Sequence, residues 1–147
     1  MSIIKFHLHE ISTPLKDRRR LKKFLVTLFS EEKKEISSLD YIFCSDHYLI
    51  ELNQQFLQHN YYTDILTFDL SKKTEPIVGE IYISVDRVKE NHKIYGSTLE
   101  RELHRVIFHG ALHLCGYNDS TSKQRHQMTM MENRYLKSYF NVSRGTH

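Results

Sequence analysis

Strand-like and helix-like segments alternate along the 147-residue chain, and this alternation restricts the folds that it can adopt. Segments that are rich in β-branched and aromatic residues, or that alternate in polarity, predict four strands, at residues 3–8, 36–44, 63–69 and 79–84. Helical spacing of apolar residues and capping signals predict five helices, at about residues 14–29, 47–57, 86–95, 97–114 and 122–140. Interleaved strands and helices are typical of a mixed α/β or α+β fold, in which helices pack on a sheet.

Capping residues mark the ends of several predicted helices. Ser45 and Asp46 are the candidate caps of the second helix, because Ser and Asp side chains accept hydrogen bonds from N–H groups of the first turn. Ser97 is followed three residues later by Glu100, and this capping-box pattern predicts Ser97 as the cap of the fourth helix. Gly96 is a natural stop for the third helix. The tail, residues 142–147, is expected to fray.

Size and composition predict one soluble domain over residues 1–147. Hydrophobic residues make up 39% of the chain and aromatic residues 12%, which excludes an intrinsically disordered protein. The chain has 2 cysteines, too few for the disulfide framework of a small secreted protein, so we expect a cytoplasmic location. No stretch approaches the roughly 18 apolar residues of a membrane-spanning helix. The N-terminus carries charges where a signal peptide needs an apolar run.

The net charge is a weak indicator of partner. There are 21 Lys and Arg against 18 Asp and Glu, a formal charge of +3 that permits a nucleic-acid partner without predicting one. Four basic residues of the first helix share one face, which we interpret as its solvated surface; they are Arg18, Arg19, Lys22 and Lys23.

Two histidines four residues apart are the most specific chemical feature of the chain. In a helix, His109 and His113 lie on one face and can bind one ion. Gly116 can end that helix and turn the chain back, which allows Asp119 to approach the same point. Two imidazoles and one carboxylate leave one position of a tetrahedral ion open, as in catalytic zinc sites. The motif therefore predicts one Zn²⁺ per chain at the end of a helix, and the ion would activate either a bound water or a neighbouring hydroxyl of the substrate as nucleophile.

The motif does not by itself decide the reaction. Zinc peptidases have Glu directly after the first His as general base, and this chain has Gly110 there. A peptidase would therefore lack its usual base.

Three segments of the chain are similar to one known family. Residues 109–119 read HGALHLCGYND, close to the signature H-G-x-L-H-L-x-G-Y-D-H. Leu52-Asn53 followed by YTDILTF at 62–68, and GEIYIS at 79–84, are similar to two further motifs in the same order. On these motifs the chain resembles the YbeY-type endoribonucleases, single-domain bacterial metal-dependent enzymes of ribosomal RNA maturation.

The resemblance implies both a fold and an activity. The fold would be α+β, with a mixed, mostly four-stranded sheet, helices packed on it, and a zinc ion held by the histidine motif. The activity would be hydrolysis of single-stranded RNA during ribosome maturation. The expected partners are then ribosomal RNA and the ribosome or its small subunit, with no DNA and no membrane.

This chain departs from the family pattern at two positions. Asp119 stands where the family usually has a third His, and since Asp is a reasonable zinc ligand we assign it the third metal position. Leu57 stands where the family commonly has a catalytically important Arg; His59 could supply a cation there or be a surface residue. Asp64 and Glu80 lie in the matching strand motifs, and each either supports the site from a second layer or bonds loop backbone.

Two other functions stay open at this stage. One is a zinc metallopeptidase-like hydrolase, which Gly110 disfavours. The other is a non-catalytic RNA-binding factor of ribosome assembly with a structural metal, which Leu57 favours.

Overall fold

The computed structural model describes residues 3–12, 15–57 and 63–145, except for the side chains of Leu57 and of residues 142–145. The strands in these ranges are β1 (Ile4–Leu8), β2 (Ile36–Cys44), β3 (Ile65–Asp69) and β4 (Ile77–Ser84). The helices are α1 (Arg18–Glu31), α2 (Asp46–Leu57), α3 (Val85–Ile94), α4 (Leu99–Leu114) and α5 (Ser122–Gly145). The predicted α+β class, with four strands and five helices, is confirmed for the described part of the chain.

The strands form one mixed sheet in the order β1-β2-β4-β3. Strand β2 pairs in parallel with both β1 and β4, whereas β3 runs antiparallel to β4 along the edge. In the pairing of β3 with β4, Ile65 lies opposite Ile83 and Asp69 opposite Gly79. Strand β3 therefore forms one edge of the sheet, and α4, the helix that carries the histidines, packs against this strand.

Helix α4 is buried because it packs against the sheet on one side and helix α5 on the other. Among the described residues the main core joins β2 and β4 to α1, α4 and α5, and Leu21, Phe29, Tyr41 and Phe108 are fully buried in it. The hydroxyl of Tyr41 donates to the carbonyl of Ile107 at 2.8 Å, which ties β2 to α4. A smaller cluster lies between the sheet and α2. None of the helices in the described residues is both long and apolar enough to span a membrane.

The prediction that Ser97 caps α4 was wrong. Thr98 is the cap, and its side chain accepts a hydrogen bond from the N–H of Arg101 at 3.1 Å. Ser97 instead completes the end of α3, because its N–H donates to the carbonyl of His92 at 3.0 Å while Gly96 adopts a φ of 67°. Helix α5 also continues beyond the predicted end at residue 140, since its backbone is helical through residue 145.

Gly110 allows the close approach of α4 to the sheet. A Cβ atom at this position would lie 2.8 Å from Cδ1 of Ile81 and 3.0 Å from Cδ1 of Ile65. We expect Gly110→Val to lower the free energy of unfolding in urea by about 1–3 kcal/mol, because the added methyl groups overpack the core. Arg19→Val, on the exposed face of α1, is the control and should change it by about 0.5 kcal/mol or less. Equal stability of both variants would contradict this packing.

Candidate metal centre

The last two turns of α4 place His109 and His113 at the mouth of a pocket. Their rings are neighbours on one face of the helix, with centroids 4.9 Å apart and planes at 77°. Their side chains keep 20% and 27% of their surface exposed, whereas ten other residues of α4 are buried. The helix thus buries its apolar stripe and leaves the two imidazoles at the edge of the core.

The chain turns sharply at the end of α4 and brings the next loop back over the histidines. Gly116 adopts a φ of 106°, and its N–H donates to the carbonyl of His113 at 3.0 Å. The N–H of Tyr117 donates to the carbonyl of Leu112 at 3.0 Å, which completes a Schellman motif. The Tyr117 hydroxyl donates to the carboxylate of Glu32 at 2.8 Å, so that the loop is anchored to the end of α1.

Asp119 reaches both histidines from this loop. Its Oδ2 lies 3.4 Å from Nε2 of His109 and 3.4 Å from Nε2 of His113. One ligand atom of each residue lies within 4.8 Å of the other two. Zinc bonds of about 2.1 Å in a tetrahedron give ligand atoms separated by about 3.4 Å. The side chains as placed here could hold a metal ion, and they are the three residues that the sequence singled out.

Glu132 of α5 is a member of the site that the sequence analysis missed. One of its carboxylate oxygens lies 2.5 Å from Nδ1 of His109, and the other accepts from Arg105 at 2.8 Å. Arg105 also donates to the side chain of Asn133 at 2.7 Å. The Glu132 carboxylate therefore holds the proton of His109 at Nδ1, and Nε2 is left free to face Asp119.

The environment of His109 favours its positive charge. Burial of the ring lowers the pKa of His109, but the hydrogen bond and charge of Glu132, with smaller contributions from Asp119 and Asp64, raise it by more. The net pKa is above the ordinary value for histidine. The same negative surroundings attract a metal cation to Nε2 once the ring is neutral.

One signal in the sequence could have identified Glu132. Helix α5 buries Met128, Tyr135, Leu136 and Tyr139, and Glu132 falls in the same stripe with only 6% of its surface exposed. A charged residue inside an apolar stripe is rarely buried unless it is paired. The pattern indicates a buried partner, but it does not indicate which one.

The structure separates the two supporting carboxylates that the sequence suggested. Asp64 lines the pocket of about 410 Å³ that His109, His113 and Asp119 also line. Burial raises the pKa of Asp64, although the nearby His109 opposes this. Glu80 points away from the site, because Ile81 next to it faces α4 and strand side chains alternate.

Glu80 accepts a hydrogen bond from the hydroxyl of Tyr82 at 3.1 Å on the other face of the sheet. Two further candidates are not placed by the structure. The Leu57 side chain and His59 lie outside the described residues. Among the described residues, none that lines the metal pocket is Lys or Arg.

Comparison with known proteins shows the family to which this fold belongs. The family model described as "Endoribonuclease YbeY" matches residues 4–140. The chain belongs to the YbeY endoribonuclease family. A YbeY relative from Cytophaga hutchinsonii, named Endoribonuclease YbeY, is 48% identical over 122 residues, which are 83% of this chain and 85% of the relative. The protein of the same name from Porphyromonas gingivalis is 40% identical over 136 residues, covering 92% and 89% of the two chains.

A solved structure is also similar to this YbeY-family chain. The solution structure of TM1509 from Thermotoga maritima matches with a TM-score of 0.63 at 31% sequence identity. The match covers 97% of this chain and 93% of the other. The architecture is thus shared with an experimentally determined protein over nearly the whole chain.

Replacing the carboxylate behind His109 tests its effect on the metal site. We expect Glu132→Gln to lower the affinity for Zn²⁺ by about 10–100-fold, because the amide cannot hold the His109 proton as a carboxylate does. Glu90→Gln, on the exposed surface of α3, is the matched control and should bind as the wild type does. Affinity is measured by competition with a chromophoric chelator, and circular dichroism checks the fold. Equal affinities for the two folded variants would contradict the role of Glu132.

Proposed function

We propose that this protein is a metal-dependent endoribonuclease that cleaves single-stranded RNA during ribosomal RNA maturation in the cytoplasm. The observation that carries the proposal is the convergence of His109, His113 and Asp119 at one pocket in a member of the YbeY endoribonuclease family. Its partners would then be ribosomal RNA and the ribosome or its small subunit. The motifs of the chain support this assignment, and Asp119, although it departs from the family pattern, supplies a reasonable zinc ligand at the third position.

Zinc is the ion that the donor set fits best. Two imidazole nitrogens, each 3.4 Å from the same carboxylate oxygen, suit Zn²⁺ and leave its fourth position for water or substrate. When bound, the ion would polarise a phosphoryl oxygen and lower the pKa of a coordinated water.

The carboxylates around the histidines orient the His109 ring and can exchange protons with the substrate. The Glu132 carboxylate fixes the ring of His109, and Asp119 contributes a negative charge from the opposite side. Asp64 stands at the pocket wall as a carboxyl group with a raised pKa, suited to accept the proton of an attacking water or 2′-hydroxyl. Position 110 faces the sheet rather than the pocket, so a peptidase-type general base has no room there.

The reaction is tested on two substrates with one protein preparation. Labelled single-stranded RNA and casein are each incubated with the purified protein, with and without a chelator. The proposal expects cleavage of RNA alone, and its loss on chelation. Cleavage of casein would indicate a peptidase, and RNA binding without cleavage would indicate an assembly factor with a structural metal. An inactive variant in which a metal-binding residue is replaced, purified in parallel, controls for a contaminating ribonuclease.

Elemental analysis tests the identity of the metal. We expect about one zinc ion per chain, because the chain offers one such three-ligand group among its described residues. Inductively coupled plasma mass spectrometry of the purified protein measures it. Protein without metal that also fails to take up Zn²⁺ on titration would contradict the site.

Substitutions at the loop after α4 test the third ligand. Asp119→Ala should lose zinc affinity and RNA cleavage but keep its fold, because Asp119 is partly exposed beyond the helix end. Asn118→Ala should change little, since a neutral amide is a poor zinc ligand. Asp119→His should retain the metal, because it rebuilds the three-imidazole site of the family.

Zinc occupancy and cleavage rate are measured for these three variants together. Full metal binding by Asp119→Ala, combined with loss of metal binding in Asn118→Ala, would show that Asn118 and not Asp119 is the third ligand. Higher activity of Asp119→His than of the wild type would agree with a stronger Lewis acid after the loss of one negative charge.

A further inference from the structure

A second groove begins where the metal pocket ends. Its volume is about 430 Å³, similar to the about 410 Å³ of the metal pocket. Asp69 and Leu114 line both, so the two depressions adjoin on one surface. A polymer that lies across the metal pocket has an open path into this second groove. We call it the lysine groove, after Lys33, Lys34, Lys72 and Lys73, which line it.

The backbone holds the two walls of the lysine groove together. One wall is the turn after α1, residues 33–35, and the other is the connection from β3 to β4, residues 69–77. The N–H of Ile77 donates to the carbonyl of Glu35 at 2.9 Å, which ties one wall to the other. Each wall supplies two of the four lysines. Their positions around the groove are therefore set by the fold.

The four ammonium groups of the lysine groove are available to an anionic ligand. All four lysines are exposed, and within the described residues none of them forms an ion pair. Three carboxylates, those of Glu35, Asp69 and Glu75, also line the groove. The Asp69 carboxylate accepts hydrogen bonds from the backbone and hydroxyl of Ser71, so part of this negative charge is already engaged.

The chemistry of the lining fits a phosphate backbone rather than bases. Among the described residues that line the groove there is no aromatic side chain, so it offers no platform on which a base could stack. Lysine ammonium groups bind phosphates as point charges and do not read sequence. The hydroxyls of Ser71 and Thr74, which also line the groove, can donate to phosphate oxygens.

We propose that the lysine groove binds the phosphates of the substrate RNA on one side of the cleavage position. This inference rests on the proposed function, because the strand that it places in the groove is the strand being cut in the metal pocket. It gives the enzyme a footprint beside the metal pocket, in which the RNA on that flank of the scissile phosphate adds affinity.

Paired substitutions with a matched control test the groove. Lys72→Gln/Lys73→Gln and Lys33→Gln/Lys34→Gln each remove two charges from it. Arg18→Gln/Arg19→Gln removes two charges from the exposed face of α1, away from the groove. The dissociation constant of a labelled single-stranded RNA is measured by fluorescence anisotropy from 50 to 200 mM salt, and thermal unfolding checks that each variant folds.

Each groove pair is expected to reduce the salt dependence of binding. Losing two phosphate contacts makes the plot of the logarithm of the association constant against log salt less steep by about 1.4. The wild type therefore loses about sevenfold more affinity over this salt range than the variant does. The control pair should keep the wild-type slope. A wild-type slope in both groove pairs, or an equal loss in the control, would overturn the proposal and indicate diffuse surface charge.

Cleavage kinetics test this footprint. Lengthening the RNA on one flank of the mapped cleavage position should lower the KM of the wild type, and the groove variants should lose this effect while kcat is unchanged. Groove variants that keep the wild-type dependence on the length of that flank would overturn the proposal. A wild-type protein that binds RNA without cutting it would contradict the proposed function, and the anisotropy comparison would still decide the groove.

Discussion

The close contact between helix α4 and the sheet is the constraint on which the site depends. With hydrogen in place of a side chain at Gly110, the helix settles against Ile81 and Ile65, and the rest of its apolar stripe is buried. This contact fixes the rotation of α4 about its axis. Because His109 precedes the contact residue and His113 follows it by less than one turn, both rings are directed to the edge of the core next to β3. The metal pocket is therefore a consequence of helix-to-sheet packing.

Charges on both sides of the histidines complete the site. Asp119 approaches from solvent and Glu132 from the interior, so a divalent ion held by two neutral imidazoles would be balanced by two carboxylates. The interior side is rich in acid, since a cavity of about 160 Å³ is lined by Asp64, Glu102 and Glu132 together with Arg105. Burial raises the pKa of both Asp64 and Glu102. The Glu132 carboxylate is hydrogen-bonded to Arg105 and His109. Of the three carboxylates that line this cavity, that of Glu132 forms the hydrogen bond to His109.

The parts of the structure that could be predicted from the sequence are those that short-range patterns encode. Periodicity predicts the strands and helices. The spacing of His109 and His113, together with the helix stop at Gly116, is sufficient to predict that Asp119 lies near both histidines. The contact of Glu132 with His109 joins residues 23 apart on different helices, and no local pattern specifies which residue a buried carboxylate will meet. The Ser97 cap failed for a different reason: two local motifs competed for the residue, and the end of α3 used its N–H group.

Glu32 has a consequence for how the molecule opens. Its carboxylate accepts hydrogen bonds from Tyr117, in the loop that carries Asp119, and from Tyr135 of α5, while α5 also reaches His109 through Glu132. Helix α5 cannot detach without releasing both the loop and a histidine of the site. We therefore expect these segments to exchange their amide hydrogens as one cooperative unit of the native state. A bound ion, which stabilises only the closed form, would slow amide exchange throughout α5, a helix that supplies none of its ligands.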